Sequence, residues 1–559
     1  MKTSSLRILT WSLFLTLAGF YLPFSGQPQN FPPMTFTIHD SAATQGYYFM
    51  SPYTNSPPFN YDRPHLILDR YGRTIYYRVF QGGLNVNPTI DFKLQPDGRM
   101  TFFSTDSSKV YLMDSTFTVI DSLSSANGFP MDQHDFQILP NHHYLLLGRE
   151  TRILNLTAYH WFGPNNSAPG NANAQVIGVV IQEFDENMSL VWEWKAHDHF
   201  QFADVDQVWL SNPNKVDWTH ANAVELDHDG NILLSCRHFN EITKISHATG
   251  NIIWRMGGKQ NQFSFPNDPV GFTGQHDIRR CSDTSVSFFD NGQYTNPPVA
   301  RGVEYALDET NKVATLVWEY IYDSSMYSMA CGNHQYTGNG NHLVDFGFHT
   351  GTNPWMVLVK PDKSKIVDIT YPGGYISYRA FNYLTLPWRL HRPPVDCQKI
   401  QGDYFLVAEP GHAEYRWSTG ATTSSIPITA PGDYWVFVPY GTGYISSEYI
   451  HISDITNPCL YTSDPPSPVI PGTLSMGCYP NPVTDRARIA FDLPANSNVK
   501  VSLLSLLGAV VLEPAGVQCT AGKHEISLDV ATLSGGMYLL RLETEKGAIT
   551  QKVIIRNPQ

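Results

Sequence analysis

The sequence predicts an all-β protein: a six-bladed β-propeller, then an Ig-like β-sandwich, then a small C-terminal β-sandwich. The composition supports this, because 39 Pro, 41 Gly and 13% aromatic residues favour strands and turns over helices. A strand–turn–strand unit also recurs between residues 27 and 392. Several of these units end in a hairpin that contains a Trp.

The recurring unit has two parts. The first is a strand pair around a polar turn, with the turn sequences QPDGR, PNHH, DHDGN and TGNGN. The second is the Trp-containing hairpin, at residues 184–194, 245–256 and 307–320. Short apolar alternations joined by turn residues are typical of antiparallel hairpins, and repetition every ~50–60 residues is typical of propeller blades. A pair of β-sandwiches is the alternative, but it leaves the Trp-ended repeat unexplained.

Residues 1–26 have the features of a signal peptide. Lys2 and Arg7 precede the apolar segment Ile8–Phe20. This segment is shorter than the ~20 residues that a membrane-spanning helix needs. An N-terminal anchor is the alternative. We expect an exported protein whose mature form has no stable membrane span.

Charge and cysteine content limit the partners. The chain has 37 Lys and Arg against 50 Asp and Glu, a net charge of −13. An acidic chain repels phosphate backbones, so we expect no nucleic-acid partner. None of the 7 Cys residues forms a CxxC pair, and no thiolate metal site is predicted. Cys397 and Cys459 bracket one candidate module and could pair in an exported protein.

Two modules and a linker follow the propeller segment. Residues 395–460 contain short alternating strands and predict the Ig-like sandwich. Residues 461–475 include DPPSPVIPG, which is typical of an extended Pro-rich linker. Residues 476–559 carry NPV, LLG, GMYLLRL and a terminal KVII in that order. This segment resembles the C-terminal sorting domain of type IX secretion cargo, which implies the type IX machinery as a partner and a secreted or cell-surface location reached through the periplasm.

The most informative segment is DWTHANAVELDHDGNILLSCR, residues 217–237. If Asp229–Gly230 is a two-residue hairpin turn, Asn222 lies opposite Arg237, and His220 precedes Asn222 by two residues on the same face. We therefore expect these three side chains to meet at one end of the hairpin. A guanidinium beside an amide and an imidazole suits an oxyanion. The alternative is an ordinary solvated strand end.

Histidines recur at the same position in other repeats: His134 in DQHDF, His276 in GQHDIRR and His334 in GNHQY. Equivalent positions in a propeller point to the same rim, so several imidazoles are expected to meet in one central funnel. Such a cluster could bind a metal, or could transfer a group through a histidine nucleophile while other donors hold an anion. Arg237 would oppose a cation, so we predict no metal site.

The 217–237 segment, together with GNIIWRMGGKQNQF and the later GQHD, resembles bacterial aryl-sulfate sulfotransferases. The resemblance is best over residues 130–350. It implies PAPS-independent transfer of a sulfuryl group from an aryl sulfate to a phenol by a ping-pong route, with no cofactor.

The resemblance also implies roles for single residues. His276 is expected to become transiently sulfated, with His220 and Arg237 as further catalytic residues. His134 and Asn222 are expected to bind the substrate, and His334 receives no role. Two alternatives stay open: a secreted propeller hydrolase or lyase acting on sulfated or acidic glycans, and a non-catalytic propeller adhesin.

Overall fold

The computed structural model describes most of the chain outside its N-terminus and several short gaps. The described residues are 34–54, 63–80, 89–162, 167–349, 354–371, 374–456, 458–459, 462–463, 475–479, 483, 486–493, 495–505, 509–513, 516–544 and 547–555. The predicted signal peptide and residues 464–474 of the predicted linker lie outside them. The chain divides into two units, Met1–Ser463 and Asp464–Gln559.

Within the described residues, six antiparallel sheets of the first unit form the blades of a β-propeller, which confirms the predicted fold. Blades 2 to 5 each consist of four consecutive strands, and the first strand of each is innermost. In chain order they are β5 (Thr89–Leu94), β6 (Met100–Ser104), β7 (Lys109–Met113), β8 (Val119–Leu123); β9 (Met131–Ile138), β10 (Tyr144–Leu154), β11 (Ala174–Phe184), β12 (Leu190–Lys195); β14 (Ala221–Leu226), β15 (Ile232–Cys236), β16 (Glu241–Ile245), β17 (Ile252–Gly257); and β18 (His276–Arg280), β19 (Ser285–Asp290), β20 (Arg301–Asp308), β21 (Val313–Tyr320).

Both ends of the propeller segment close the ring. Blade 6 contains the strands β22 (Asn333–Tyr336), β23 (His342–Asp345), β24 (Met356–Val359) and β25 (Lys365–Thr370), and the N-terminal strand β1 (Thr35–Ile38) pairs with its outer edge. Blade 1 contains β2 (Tyr47–Met50), β3 (Pro64–Leu68) and β4 (Thr74–Val79), with the later strand β26 (Ala380–Tyr383) innermost. Each terminus of the segment is thereby tied to a blade that lies far from it in sequence.

Irregular segments between blades 3 and 4 complete this unit. They contain the short helix α1 (Ala196–His199), single 3₁₀ turns at Phe202–Asp204 and Gln207–Trp209, and the strand β13 (Lys215–Asp217), which runs parallel to β11. A further 3₁₀ turn, Arg237–Phe239, follows β15. Among the described residues, we find no helix with the length and apolar character needed to cross a bilayer.

The Trp residues of the repeat join each blade to the next. Trp194 in blade 3 donates its indole N–H to the Gly250 carbonyl in a turn of blade 4, at 2.9 Å. Trp254 in blade 4 donates to Glu309 in a turn of blade 5, at 2.9 Å. Trp318 in blade 5 donates to the Pro361 carbonyl in a turn of blade 6, at 3.1 Å. The repeat that predicted the propeller therefore marks a recurring contact between blades. The indoles of Trp194 and Trp254 are buried and that of Trp318 is half-buried, and all three donors are satisfied.

Buried charged side chains fill the propeller axis. They come from or adjoin the innermost strands of several blades and pair both within a strand and across the axis, where the partly exposed Arg279 joins five buried residues: Asp91, Lys93, Asp135, Asp277 and Arg379. We call these six residues the axial ion network. Because burying an unpaired charge is costly, carboxylates and cations in such a network must compensate one another.

Asp135 and Arg379 are the most highly connected members of the axial ion network. The Asp135 carboxylate contacts Lys93 Nζ at 2.9 Å, Arg279 Nη2 at 2.9 Å and Arg379 Nη1 at 3.1 Å, and these cations hold its pKa below the usual value although burial opposes this. Arg379 also contacts Asp91 and Asp277 and donates to the backbone carbonyl of Asn222 at 2.6 Å. The network thus ties blades 1 to 5 together at the axis.

The Ig-like module contains the strands β27 (Val395–Ile400), β28 (Asp403–Ala408), β29 (Arg416–Trp417), β30 (Ser425–Pro427), β31 (Gly432–Tyr434), β32 (Val436–Tyr440), β33 (Gly443–Ser446), β34 (Ile450–Ile452) and β35 (Thr462–Ser463). Cys397 and Cys459 form a disulfide, as the sequence suggested. The sheet of β29, β32 and β33 continues blade 1, because β33 pairs with β4. The sequence did not predict this shared sheet.

The second unit is a two-sheet sandwich. One sheet contains β36 (Ser475–Tyr479), β37 (Arg486–Leu493) and β41 (Gly522–Asp529). The other contains β38 (Ser497–Leu504), β39 (Val510–Leu512), β40 (Val517–Cys519), β42 (Gly536–Thr544) and β43 (Gly547–Ile555). Alternate residues of facing strands, such as Ile489, Val501 and Leu540, form its core.

The axial ion network yields a prediction about stability. Arg379→Met should lower the free energy of unfolding of the propeller by about 3–5 kcal/mol, because it leaves buried carboxylates without a cation. The matched control is Arg152→Met, which removes a partly exposed cation that pairs with Glu150 and Asp198 and should cost less than about 1 kcal/mol. Urea unfolding followed by Trp fluorescence measures both. Equal losses in the two variants would contradict a special role for the axial charges.

Candidate active site

Irregular pairing at one end of several innermost strands defines the site. Register shifts occur between Leu146 and Gly148 opposite β9, between Ala221 and Ala223 in β14, and between His276 and Arg279 in β18. A bulge bends a strand and re-aims its side chains. The side chains of residues at these bulges, or immediately before them, therefore face the axis. They do not continue the alternation of side chains between the two faces of the blade.

The predicted register of the β14–β15 hairpin is wrong by one residue at its turn and by another at its far end. The turn is a three-residue loop, since Asp227 N–H donates to the Asn231 carbonyl at 2.7 Å and Gly230 N–H donates to Asp227. Gly230 has φ +79°, the left-handed conformation that such loops require. The bulge at Asn222 adds the second shift, so that Arg237 N–H donates to the His220 carbonyl at 3.1 Å. Arg237 therefore lies beside His220 rather than opposite Asn222, and all three still lie at the same end of the hairpin.

His220 and His134 meet at the funnel, with ring centroids 5.0 Å apart. A carboxylate holds each ring: His220 Nδ1 contacts Asp217 Oδ2 at 2.6 Å, and His134 Nδ1 makes a very short contact with Asp132. His220 has φ +42°, a left-handed backbone that is rare for a non-glycine residue and typical of functional sites. His238 stacks on the other face of His220, with centroids 4.4 Å apart.

Arg237 is buried, yet part of its guanidinium is unused. Its Nη2 donates to the Met329 carbonyl at 2.7 Å, and its Cζ lies 4.2 Å from the centre of the Trp209 ring. Its Nε has no hydrogen-bond partner among the described residues. A buried guanidinium with an unpartnered donor is suited to binding an anion.

Asn222 connects the hairpin to the neighbouring blade. Its side chain is fully buried, and its Nδ2 donates to the Gln275 carbonyl at 2.7 Å, next to His276. Within the described parts of the chain, its Oδ1 has no partner. The amide is therefore fixed at the junction of blades 4 and 5.

His276 is buried at the start of β18. Its Nδ1 lies 2.7 Å from Asn291 Oδ1, and its Nε2 lies 3.3 Å from the backbone N–H of Cys331. Burial, followed by the charge of Arg237, lowers its pKa well below the usual value, and His220 and His134 lower it further. The imidazole is therefore neutral at physiological pH, within electrostatic reach of Arg237, His220 and His134.

Burial sets the protonation of the neighbouring groups too. It lowers the pKa of His220 although Asp217 opposes this, and it lowers the pKa of His238 to about 3. It also lowers the pKa of Arg237, and it raises the pKa of the Cys331 thiol to about 12. At neutral pH, Arg237 is thus a cation beside the neutral rings of His276 and His238.

Asp217, His220 and His238 offer ligand atoms within 4.8 Å of one another, a spacing that could hold a metal ion. Their contacts are already accounted for without one, because Asp217 accepts from His220 Nδ1 and its backbone carbonyl accepts from His238 Nδ1 at 2.6 Å. Arg237 also lies within electrostatic reach of Asp217 and would repel a cation. The arrangement favours an anion instead.

His334 does not face the funnel. Its Nδ1 lies 3.0 Å from the Val303 carbonyl, its Nε2 lies 3.0 Å from His342 Nδ1, and its ring stacks on Trp318. No register shift occurs in β22, so its side chain packs between blades. The repeat therefore predicted correctly that His334 lies on the innermost strand of its blade, but the prediction that its side chain faces the funnel is wrong.

Several residues around the site were missed by the sequence reasoning. Asp132 and Asp217 were visible, since an Asp precedes each funnel histidine in DQH and DWTH. Nothing in the sequence marked Asn291, which lies 15 residues after His276, or Tyr378, whose hydroxyl donates to the His134 carbonyl at 2.8 Å. Asn291 reaches the site through pairing of β19 with β18 in the same blade, and Tyr378 reaches it from the segment before β26 in blade 1.

Comparisons with known families match two parts of the chain. The family model "Arylsulfotransferase (ASST)" matches residues 38–379, and "Secretion system C-terminal sorting domain" matches residues 477–556. A search of the curated proteins finds no significant match.

Several solved structures are distantly similar to this chain. A Bacteroides caccae protein of unknown function is 9% identical, with a TM-score of 0.36, covering 60% of this chain and 98% of that one. A virginiamycin B lyase from Staphylococcus aureus is 10% identical, with a TM-score of 0.32, covering 67% and 96%. PorZ, a surface component of the type IX secretion system of Porphyromonas gingivalis, is 9% identical, with a TM-score of 0.15, covering 88% and 84%. Likeness at this level says nothing about the activity of this chain.

The charge distribution at the funnel predicts how inorganic sulfate binds. Arg237→Gln should weaken binding at least ~10-fold, because a charge-assisted hydrogen bond contributes about 1.5–3 kcal/mol. Affinity should change little between pH 7 and 8, and should rise only in acidic solution well below the usual histidine pKa, where the buried rings of His276 and His238 gain protons. Isothermal titration calorimetry measures both effects. Lys195→Gln, on the outer strand of blade 3, is the matched control, and an equal loss in this variant would contradict binding at the funnel.

Proposed function

The chain belongs to the arylsulfotransferase family, whose chemistry is sulfuryl transfer, and from this premise we propose that it moves a sulfuryl group from an aryl sulfate ester to a phenol without PAPS. The observation that carries this proposal is the pairing of Arg237 with His276. Arg237 is a buried cation with an unpartnered Nε, and His276 is an imidazole that burial keeps neutral. A neutral nucleophile beside a bound anion is what transfer from a sulfate ester requires.

His276 is the nucleophile in this proposal. Its neutral ring carries a lone pair, forms a bond to sulfur, and the bond between sulfur and the aryl oxygen breaks. The aryl group leaves as a phenol or phenolate, and a second phenol then takes the sulfuryl group from the histidine. The two half-reactions form a ping-pong cycle with a sulfohistidine intermediate.

Arg237, Asn222 and His220 hold the transferring group. Arg237 supplies the fixed positive charge, and the Asn222 amide and the His220 ring lie at the same end of the β14–β15 hairpin. Donors that are already in position stabilise charge that develops on the sulfuryl oxygens without reorganising during the reaction. We retain His220 and Arg237 as catalytic residues, and His134 and Asn222 as substrate-binding residues.

The leaving oxygen needs a proton when the aryl group is a poor leaving group. His220 and His134 both carry a carboxylate on Nδ1, which supports the positive form of the ring. When it is protonated beside the bound anionic ester, either ring can deliver its Nε2 proton to the departing phenol, and the neutral ring that results can take a proton from the incoming phenol.

The surroundings of Arg237 support an aromatic substrate. Trp209 lies against the guanidinium, and Tyr294 and Tyr327 lie within electrostatic reach of it. Val208, Tyr294 and Met329 are large hydrophobic residues with 56%, 45% and 40% of their surface exposed. In our proposal, the aryl ring of the substrate packs against this apolar border while its sulfate reaches Arg237.

The C-terminal module places this chemistry outside the cytoplasm. It is a secretion-system sorting domain, and the protein is secreted or displayed at the cell surface. We propose that its substrates are small aryl sulfates and phenols that are met there, since this reaction draws on no nucleotide donor.

The test is to trap the intermediate. Incubation with 4-nitrophenyl sulfate alone should release nitrophenol in a burst of one equivalent and add a sulfuryl group, about 80 Da, to the peptide that contains His276. Adding phenol should then sustain nitrophenol release and yield phenyl sulfate. Mass spectrometry of the peptide and absorbance of nitrophenol measure these outcomes.

His276→Ala should abolish both the adduct and the release. The matched control is His228→Ala, because this exposed histidine lies in the turn of the β14–β15 hairpin and should retain full activity. Sustained release without phenol would indicate a hydrolase instead. Absence of both adduct and release would leave the adhesin alternative and refute the proposal.

A further inference from the structure

The funnel histidines differ in what holds their Nδ1 atoms. Carboxylates of Asp217 and Asp132 hold His220 and His134. The neutral amide of Asn291 holds His276. A carboxylate favours a positively charged imidazole, whereas an amide oxygen only orients the ring.

The orientation of the Asn291 amide is fixed by its other contacts. Its Nδ2 donates to the Ser328 carbonyl at 2.9 Å and lies 3.3 Å from the Cys331 carbonyl. Turning the amide over would place its oxygen against two acceptors. Oδ1 is therefore the atom that faces His276, and the Asn291 side chain is fully buried.

These contacts determine which nitrogen of His276 carries the proton. Asn291 Oδ1 can only accept a hydrogen bond, so Nδ1 must donate. The Cys331 backbone N–H can only donate, so Nε2, at 3.3 Å from it, must carry the lone pair. Two independent contacts thus require the same tautomer.

We propose that Asn291 is a positioning residue that holds His276 as the neutral Nδ1–H tautomer, while the carboxylate-backed His220 and His134 serve as proton donors. Among the described residues, the Nε2 lone pair then makes only the long contact to the Cys331 N–H, at 3.3 Å, and exchanges it for sulfur when the ester binds. This inference rests on the proposed function. The charged and titratable groups within electrostatic reach of His276 are Arg237, His220 and His134. They act together with burial to keep the ring neutral.

A neutral partner also suits the second half-reaction. When Nε2 bonds to sulfur and the aryl oxygen departs with its electron pair, the sulfated ring still carries its Nδ1 proton and is positively charged. A carboxylate at position 291 would accept that proton and yield a neutral, less reactive sulfoimidazole. The amide cannot accept it, so the ring remains a good leaving group for the incoming phenol, and its electron pair returns to Nε2 when the N–S bond breaks.

The first experiment reads the tautomer directly and needs no turnover. Full-length protein labelled with [¹⁵N]histidine is examined by long-range ¹H–¹⁵N correlation at pH 7, and the signals of His276 among the 20 histidines are assigned by their loss in His276→Gln. We expect the pattern of a neutral ring with the proton on Nδ1. An Nε2–H pattern or an imidazolium pattern would overturn the inference, even if the sulfohistidine adduct forms.

The second experiment replaces the neutral amide that contacts His276 with a negatively charged carboxylate. Asn291→Asp should raise the pKa of His276, so the acidic limb of the nitrophenol burst should move to higher pH by at least ~1 unit. Activity should therefore recover at alkaline pH, and the adduct should transfer to phenol at least ~10-fold more slowly. A loss that is equal at every pH would indicate a structural role and overturn the inference.

Asn382→Asp is the matched control. Asn382 is another buried amide on an innermost strand, and its Nδ2 donates to the Gln45 carbonyl at 3.1 Å rather than contacting a funnel histidine. We expect the pH profile of this variant to coincide with that of the wild type. A shift equal to that of Asn291→Asp would mean that any buried carboxylate produces it, which would refute the assignment of Asn291.

The third experiment tests the carboxylate-backed rings. Asp217→Asn should slow the burst with phenyl sulfate at least ~10-fold more than with 4-nitrophenyl sulfate, because only the poorer leaving group needs a proton. Equal slowing with both substrates would remove His220 from the role of proton donor.

Discussion

The structure depends on compensation of charge along the propeller axis. Asp135 cannot be buried without Lys93, Arg279 and Arg379, and those cations cannot be buried without Asp91 and Asp277. Asp91 pairs with Lys93, and Asp277 with Arg279, within single strands, but Asp135 and Arg379 find their partners only when strands of different blades come together. The relative positions of the innermost strands of blades 1 to 5 are therefore linked through one electrostatic requirement.

The candidate site is built on this foundation. Arg379 donates to the carbonyl of Asn222, and Asp135 accepts from the backbone of Val224, so the network anchors β14 at its bulge. Asp135 and Asp277 also follow His134 and His276 directly in sequence. His134 and His276 are thus each adjacent to a residue whose own position is fixed by several ion pairs, which gives the site the rigidity that pre-organised donors need.

The sequence predicted the fold well, because hairpin turns and the Trp repeat are local patterns with a direct structural meaning. It predicted the candidate site less completely. Register counting failed twice in one hairpin, at the three-residue loop after Asp227 and at the bulge at Asn222, since neither changes the composition of the strand. His334 was placed by repetition although β22 lacks the bulge that would turn it inward. Asn291 could not be found at all, because its relation to His276 exists only across paired strands.

The indole contacts between blades also bear on how such a chain can change over evolutionary time. Trp194, Trp254 and Trp318 each reach one blade forward, to a turn at a corresponding position in the next blade. A duplicated blade would carry both groups of this hydrogen bond: an indole that donates to the next blade, and a turn that accepts from the indole of the previous blade. Blades of this type can therefore be copied or exchanged as whole units without new contacts between them. The charged residues of the axial ion network do not recur once in every blade. They would therefore limit the number of blades that the ring can contain.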